Sequence, residues 1–265
     1  MSVYEQFALF GVDSFGLERF LRFVQAACQI AANTALTISL TPIPVAELLT
    51  LGATVNLTRR FIRLWRFLDC FSTAQALYNA GAGGSTPTLE LWLDILRMSL
   101  LGMYGLLESI TIPDLAGVTG FGPQMTKAIN LEAQRFWFMA LVCGILAGIS
   151  RLASLYAFAP VPPSGEVYGL VEDEKSGAKQ EKDEVKRKKE EAEKEKARTA
   201  AKKNALVRKL AVDTLDLCLP TAALRWAVLD PAVVGWAMLV STLLSGYDVW
   251  LRCGVQLRKA KATKV

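Results

Sequence analysis

The sequence predicts an all-α, membrane-associated fold, with N-terminal amphipathic helices, central hydrophobic helices, a charged insert and a C-terminal membrane helix. Three observations support this prediction. Apolar residues near the N-terminus recur at spacings of three and four, which fits the period of a helix and not that of a strand. The chain is 52% hydrophobic, and much of its charge is concentrated between Glu172 and Lys203. Uncharged runs that approach the length of a membrane span lie on both sides of this charged stretch.

The composition excludes several kinds of active site. The chain has no histidine, which excludes Ser-His-Asp triads, Cys-His pairs and histidine-ligated metals. The five cysteines are widely spaced and form no CxxC pair, so we expect reduced, buried thiols and no zinc or dithiol site. Phosphate-cradling glycine motifs and the nucleophile elbow are absent from the sequence. We therefore expect no catalytic residue, no metal and no cofactor.

Residues 1–84 are predicted to form amphipathic helices. Asp13 or Ser14 is placed to cap a first helix, whose apolar stripe runs from Leu17 to Cys28. A later pair of prolines should end this helix, because proline lacks the backbone N–H that a helix requires. A second helix is predicted from Leu57 to about Tyr78.

The stretch from Leu57 to Phe71 has the clearest amphipathic pattern. Read as one helix, it carries bulky apolar residues on one face and arginines on the other, which is typical of a helix bound to an anionic phospholipid membrane. Each buried large side chain contributes about 1.5–3 kcal/mol and each basic residue about 1 kcal/mol. The same pattern also fits a core-facing helix of a soluble bundle with a solvated arginine face. The predicted membrane-binding residues are Leu57, Arg59, Arg60, Phe61, Arg63, Leu64, Trp65, Arg66, Leu68 and Phe71.

Residues 85–160 are predicted to form a pair of hydrophobic helices. The first should begin near Thr86 and end before Pro113, and the second contains the apolar run Phe136 to Ser150. Within the second helix, small residues recur every four positions and include a GxxxG pattern, which lets helices approach closely in lipid. This pattern predicts self-association into a homo-oligomer through Ala140, Gly144 and Gly148.

The C-terminal half is predicted to consist of a linker and two helices. Residues 161–203 are a proline-bounded charged insert, either a solvated single helix or a disordered linker, and its mixed charge does not favour nucleic acid. Residues 204–265 begin with a helix that should end at Pro220. They then supply a membrane anchor at 231–251 and a basic tail. Asp213 and Asp216 in that first helix have the spacing of a metal or acid–base pair but no partner motif.

Charge distribution predicts the membrane topology. Three groups of basic residues, in 59–66, in the insert and in the tail, should lie on the cytosolic face. Two membrane hairpins would then form, 89–112 with 136–158 and 205–229 with 231–251. The alternative has two spans only, 136–158 and 231–251, with both termini on the cytosolic side of the membrane and the insert on the opposite side.

Four segments of the chain are informative when they are taken together. They are GLERFLRFVQAACQ at 16–29, RRFIRLWRFLDCF at 59–71, LELWLDILRMSLLGMYGLLE at 89–108, and RKLAVDTLDLCLP with GWAMLVSTLLSGYDVW at 208–250. In order, spacing and residue type they resemble the peroxisomal biogenesis factor eleven family. The similarity covers nearly the whole chain except the charged insert, and Glu108 stands where the family usually has an aspartate.

This resemblance implies a non-catalytic protein of the peroxisomal membrane. It implies that amphipathic insertion and self-association elongate the membrane, and that fission machinery is recruited to promote peroxisome proliferation and fission. Because the family has also been interpreted as pore-forming, it implies an alternative function as a pore or channel for small metabolites. A soluble helical bundle is the third hypothesis that the residues allow.

Overall fold

The computed structural model describes residues 2–38, 45–82, 88–118, 120–157 and 178–263, with the backbone alone for 36–38, 82, 178–186 and 188–192. Within these ranges, every regular element is an α-helix, which confirms the predicted fold class. Three helical segments are long and apolar enough to cross a membrane: Leu89–Leu115, Pro123–Ala157 and Pro231–Ala262. The helices are α1 (Val3–Val12), α2 (Ser14–Ile38), α3 (Val45–Ile62), α4 (Arg66–Ala82), α5 (Leu89–Ile110), α6 (Ile112–Leu115), α7 (Pro123–Ala157), α8 (Ala178–Ala223) and α9 (Pro231–Ala262).

The long helices form a closed ring. Helix α2 packs against α3, and the chain continues from α3 through a short turn into α4. Helix α4 packs against α5, α5 against α7, α7 against α8, α8 against α9, and α9 against α2, which closes the ring. Helices α8 and α9 are antiparallel: Arg208 of α8 pairs with Asp248 of α9, whereas Asp216 lies level with Ser241, since Arg22 contacts both. Asp13, directly before α2, pairs with Arg252 near the end of α9 at 2.9 Å. The start of α2, the start of α8 and the end of α9 therefore lie toward one end of the ring.

One predicted cap and two predicted helix pairs are present in the structure. Asp13 caps α2, because its Oδ1 accepts hydrogen bonds from the backbone N–H groups of Phe15 (2.8 Å) and Gly16 (3.2 Å). The pairings of 89–112 with 136–158 and of 205–229 with 231–251 are present as α5–α7 and α8–α9. Their crossing of a membrane stays a prediction.

Helix α1 was not predicted from the sequence. It is held mainly by long-range contacts, since the side-chain amide of Gln6 donates to the carbonyl of Trp250 at 2.8 Å. The rings of Phe10 and Trp250 also pack together, with centroids 6.1 Å apart. At the ends of these helices, Lys261 pairs with Glu5 at 2.7 Å. Tertiary packing against α9 therefore explains why α1 is helical although its own sequence shows no clear helical pattern.

The prediction of a single helix from Leu57 to Phe71 is wrong. Helix α3 begins already at Val45 and ends at Ile62, and the three residues before α4 form a turn with i→i+3 hydrogen bonds. The carbonyl of Leu64, released from the helical ladder, accepts a hydrogen bond from Ser109 Oγ at 2.8 Å. A backbone contact to α5 therefore accounts for the interruption of the helix. The amphipathic period of the sequence does not predict this interruption.

The charged insert and the helix that follows it form one element where the structure describes them. Helix α8 runs for 46 residues from Ala178 to Ala223, which favours the helical alternative over the disordered linker for that part of the insert. The helix passes the predicted end at Pro220 by three residues. The predicted boundaries at residues 84 and 160, the helix end at the proline pair and the helix start at Thr86 lie outside the described residues.

Candidate functional site: a buried ion-pair network under an apolar surface

The outer surface of the ring carries many exposed large apolar side chains. On the three candidate spans they include Trp92, Met139, Leu146, Trp236 and Leu243. Soluble proteins expose such residues singly, whereas here they recur along helices that are long enough to span a bilayer. An apolar surface of this kind is suited to contact with lipid and argues against the soluble-bundle alternative.

Glu18 of α2 is the centre of a buried ion-pair network on the inside of the ring. Its carboxylate lies 2.6 Å from Arg59 Nη2, 3.5 Å from Arg63 Nη1 and 3.4 Å from Arg19 Nε. Burial alone would raise the pKa of Glu18, but the positive charges of Arg19, Arg59 and Arg63 hold this pKa well below its usual range. Glu18 is therefore a charged carboxylate although only 2% of its surface is exposed.

Arg63 links this centre to a second buried carboxylate, that of Glu108 on α5. Arg63 Nη2 lies 3.0 Å from Glu108 Oε1, which also accepts a hydrogen bond from the Tyr104 hydroxyl at 3.1 Å. Arg60 Nε lies 3.4 Å from the same carboxylate, and Arg60 Nη1 donates to Asn130 Oδ1 of α7 at 2.9 Å. The end of α3 and the turn that follows it are thereby tied to α2, α5 and α7.

Two further ion pairs connect the C-terminal half to the same interior. Arg22 of α2 pairs with Asp216 of α8 and also donates to Ser241 Oγ of α9 at 3.3 Å. Arg97 of α5 pairs with Asp213 at 2.8 Å. The two aspartates whose spacing resembles a metal or acid–base pair therefore serve as ion-pair partners for arginines of two other helices.

The network brings together all the segments on which the family resemblance rests. Glu18 and Arg22 come from 16–29, Glu108 from 89–108 and both aspartates from 208–250. The arginines that pair with Glu18 and Glu108 at the end of α3 and in the turn come from 59–71. Glu18, Arg19, Arg22, Arg97 and Glu108 belong to this network and were not predicted as site residues from the sequence. One sequence signal could have indicated them, namely a charged residue beside the apolar face of each amphipathic or hydrophobic helix. Such a residue is placed to be buried, and a buried charge requires a partner of opposite charge.

The ten residues predicted to bind membrane divide into two groups in the structure. Phe61, Trp65 and Leu68 point outward and are 49%, 68% and 52% exposed, whereas Leu57, Leu64 and Phe71 are half-buried. The arginines, which the amphipathic pattern assigned to the membrane surface, lie inward: Arg59, Arg60 and Arg63 contact carboxylates of the chain itself, and Arg66 is half-buried. Membrane binding by this set stays a prediction.

The small-residue face predicted for self-association packs inside the chain. Ala140 is fully buried, and a Cβ added to Gly144 would lie 2.7 Å from Arg97 Cζ and 3.0 Å from Asp213 Oδ2. A Cβ added to Gly148 would lie 3.2 Å from Leu210 Cδ1. In this arrangement α5 and α8 cover the face, and a second copy could use it only if α8 moved away. Self-association itself stays a prediction.

Substitution Gly144→Ala is expected to lower the free energy of unfolding by about 1–3 kcal/mol, because the added methyl group overlaps the Arg97 guanidinium and strains its ion pair with Asp213. The matched control is Gly11→Ala, since a Cβ at Gly11 meets no atom of the described residues within 4 Å. Thermal unfolding in detergent measures both variants. Equal stability of the two variants, with loss of oligomers only at Gly144, would instead support the self-association role.

A ring of helices with an apolar outside, ion pairs inside and three segments able to span a bilayer has the architecture of a helical membrane protein. A family model described as Peroxisomal biogenesis factor 11 (PEX11) matches residues 5–250 of the chain. The protein belongs to the PEX11 family, which associates it with peroxisomes and their biogenesis. No curated protein and no solved structure matches the chain.

Proposed function

We propose that the protein elongates and remodels the peroxisomal membrane without catalysis, and that it thereby promotes peroxisome proliferation and fission. The observation that carries this proposal is the exposed apolar side of the 57–71 stretch, which is supported from behind by the buried ion-pair network. The three candidate spans supply the anchorage that such a surface needs to act on one leaflet.

The contacts of this stretch suggest how it would act as a wedge. Phe61, Trp65 and Leu68 would enter the acyl boundary of one leaflet, where their burial is favourable by roughly 1.5–3 kcal/mol each. Because Arg59, Arg60 and Arg63 pair with Glu18 and Glu108 behind the wedge, insertion does not require these three guanidinium groups to remain at the phosphates. Arg63 ties the turn to α2 and α5, so the wedge is held rigidly against the ring.

The proposed partners are an anionic phospholipid membrane, further copies of the chain and fission machinery. Self-association would concentrate wedges in one area of the membrane and draw out a tubule. The charged part of α8 and the basic end of α9 lie toward the same end of the ring, and together they form the surface at which fission machinery would bind.

Localising a tagged full-length chain during overexpression tests this function in cells. We expect the tagged protein on peroxisomes, and we expect those peroxisomes to be elongated or clustered. A mitochondrial or reticular distribution, or round peroxisomes of normal number despite correct localisation, would contradict the proposal.

A pore or channel for small metabolites is the second candidate function. It is favoured by a cavity of about 620 Å³ at the centre of the ring, which is lined by charged side chains from α2, α5, α8 and α9. Conductance of planar bilayers that contain the purified protein would support the pore, and bilayers that stay non-conducting would support remodelling alone.

Protease treatment of sealed peroxisomes tests the orientation of the ring. The insert contains the first part of α8, and the tail is the basic end of α9. Because both are rich in basic residues, we expect both to be cytosolic and both to be cut, within 172–203 and after residue 251. Lysis of the organelles with detergent before digestion provides the control for accessibility. Removal of the tail with a protected insert would instead favour the two-span topology.

A further inference from the structure

The cavity at the centre of the ring has the size and the lining of a ligand site. Its volume of about 620 Å³ lies within the roughly 300–1,000 Å³ of small-molecule sites. Its walls combine charged groups with apolar side chains such as Met98, Leu101 and Val212. Lys209 and Phe15, two exposed residues of its lining, lie toward the end of the ring where α2 and α8 start. The lining is therefore amphiphilic, and it includes exposed residues toward that end.

The charges around this cavity do not balance. Every described carboxylate that lines it is already paired with at least one arginine. Among the described residues that line the cavity, six are cationic and five are acidic. Three further arginines pair with these acids from outside the lining, so the whole cluster has four more cations than acids. The cations are Arg19, Arg22, Arg59, Arg60, Arg63, Arg66, Arg97, Arg208 and Lys209, and the acids are Glu18, Glu108, Asp213, Asp216 and Asp248.

Two of these cations lack an ion pair in the described part of the chain. The Arg66 guanidinium lies over the Phe15 ring at 4.3 Å, and no carboxylate of the described residues lies within ion-pair distance of Arg66 or Lys209. Burial lowers the pKa of Arg66, as expected for a cation that is partly desolvated without full compensation. The two side chains border the cavity from different walls, α4 and α8.

Unsatisfied hydrogen-bond donors point to the same conclusion. The Nε atoms of Arg22, Arg63 and Arg97 are buried and have no hydrogen-bond partner among the described residues, and all three side chains line the cavity. Arg22 is only 4% exposed, so water does not readily satisfy its donor. The unsatisfied Oδ2 of Asp213 lies against Gly144. The cavity is therefore lined by arginines whose buried Nε donors the described chain leaves unsatisfied, in addition to the excess of positive charge.

We propose that the cavity binds the phosphomonoester group of an amphiphilic ligand, with Arg66 and Lys209 contacting the phosphate. A phosphomonoester carries about −1.5 to −2 charge and three strong acceptors, which matches an excess of several cations better than a carboxylate does. The apolar wall at Met98, Leu101 and Val212 would contact the glycerol or acyl part. A membrane phospholipid headgroup and a soluble phosphorylated metabolite share this chemistry. The proposal does not depend on membrane remodelling.

The test uses the full-length protein in nanodiscs of phosphatidylcholine. In one arm, glycerol 3-phosphate is titrated from solution and followed by calorimetry, with glycerol as the neutral control. In the other arm, phosphatidic acid is included in the nanodisc, and its association with the protein is followed by the phosphorus resonance of its headgroup. Binding in the first arm identifies a soluble ligand, and binding in the second arm alone identifies a lipid headgroup.

The variants are Arg66→Gln and Lys209→Gln, which remove positive charge from two walls without breaking an ion pair of the described residues. We expect each to weaken phosphomonoester binding at least about tenfold, as for a lost hydrogen bond to a charged group. Arg135→Gln is the matched control, because Arg135 is exposed and pairs with the exposed Glu132. This control should change the affinity less than about twofold. Thermal unfolding confirms that each variant is folded, and the two walls provide independent tests.

Three results would overturn the proposal. The first is that neither probe binds the wild-type protein. The second is that glycerol binds as tightly as glycerol 3-phosphate, which would mean that the cavity does not recognise phosphate. The third is that Arg135→Gln weakens binding as much as the two cavity variants, which would place the phosphate on the protein surface.

Discussion

Substitution Glu18→Ala is expected to lower the free energy of unfolding by about 3–5 kcal/mol, the largest loss expected from any single substitution in the ion-pair network. Removal of this carboxylate leaves Arg19, Arg59 and Arg63 without their shared partner in an interior where Arg59 is only 5% exposed. An uncompensated buried charge is more costly than the ion pair is stabilising. Chemical unfolding in detergent micelles measures the difference from the wild type.

Glu132→Ala is the matched control for this prediction. Glu132 also pairs with an arginine, but both side chains are about half exposed, and such surface pairs contribute no more than about 1 kcal/mol. A second comparison uses Glu18→Leu with Arg59→Met, which removes charges of both signs and should recover part of the stability. Similar small losses for Glu18→Ala and Glu132→Ala would show that the network does not hold the ring together.

Combined substitution of Phe61, Trp65 and Leu68 by alanine is expected to abolish tubulation of liposomes while the protein remains in the membrane. These three side chains point outward, and their truncation removes most of the apolar volume of the proposed wedge. The candidate spans are unchanged, so anchorage should persist. Electron microscopy measures tubules, and flotation of the same liposomes measures anchorage.

A control variant that truncates the same number of exposed apolar residues distinguishes the effect of the proposed wedge from the effect of general contact with lipid. Met139, Leu146 and Ile149 of α7 are 50%, 50% and 51% exposed on a candidate span. Their replacement by alanine should leave tubulation within about twofold of the wild type, because the helix remains apolar. Tubulation by the Phe61, Trp65 and Leu68 variant at the wild-type level would remove the 57–71 stretch from the mechanism.

Helical periodicity was sufficient to predict the fold class. The stripe from Leu17 to Cys28 and the uncharged runs of the later helices correspond to α2, α5, α7 and α9. The prediction failed where tertiary contacts decide the structure. The turn after Ile62 depends on Ser109, and α1 depends on Trp250, and both partners lie far away in the sequence.

The site was harder to predict, because a helical period separates two faces without saying which one lies inside. In water the apolar face is buried, whereas in a lipid environment the same helix can expose it and bury its charges. Arg59 and Arg63 take the second arrangement because Glu18 and Glu108 are available as partners. Those carboxylates lie on other helices, and the pairing depends on the ring being closed.

The most direct test of the account uses liposomes that are loaded with a small fluorescent anion and reconstituted with the purified full-length protein. Electron microscopy of their shape and measurement of the retained dye are made on the same preparation. We expect the protein to draw the vesicles into tubules without nucleotide or other proteins, and we expect the dye to stay inside. Vesicles that remain spherical and release the dye would contradict membrane remodelling and would instead support the pore as the function.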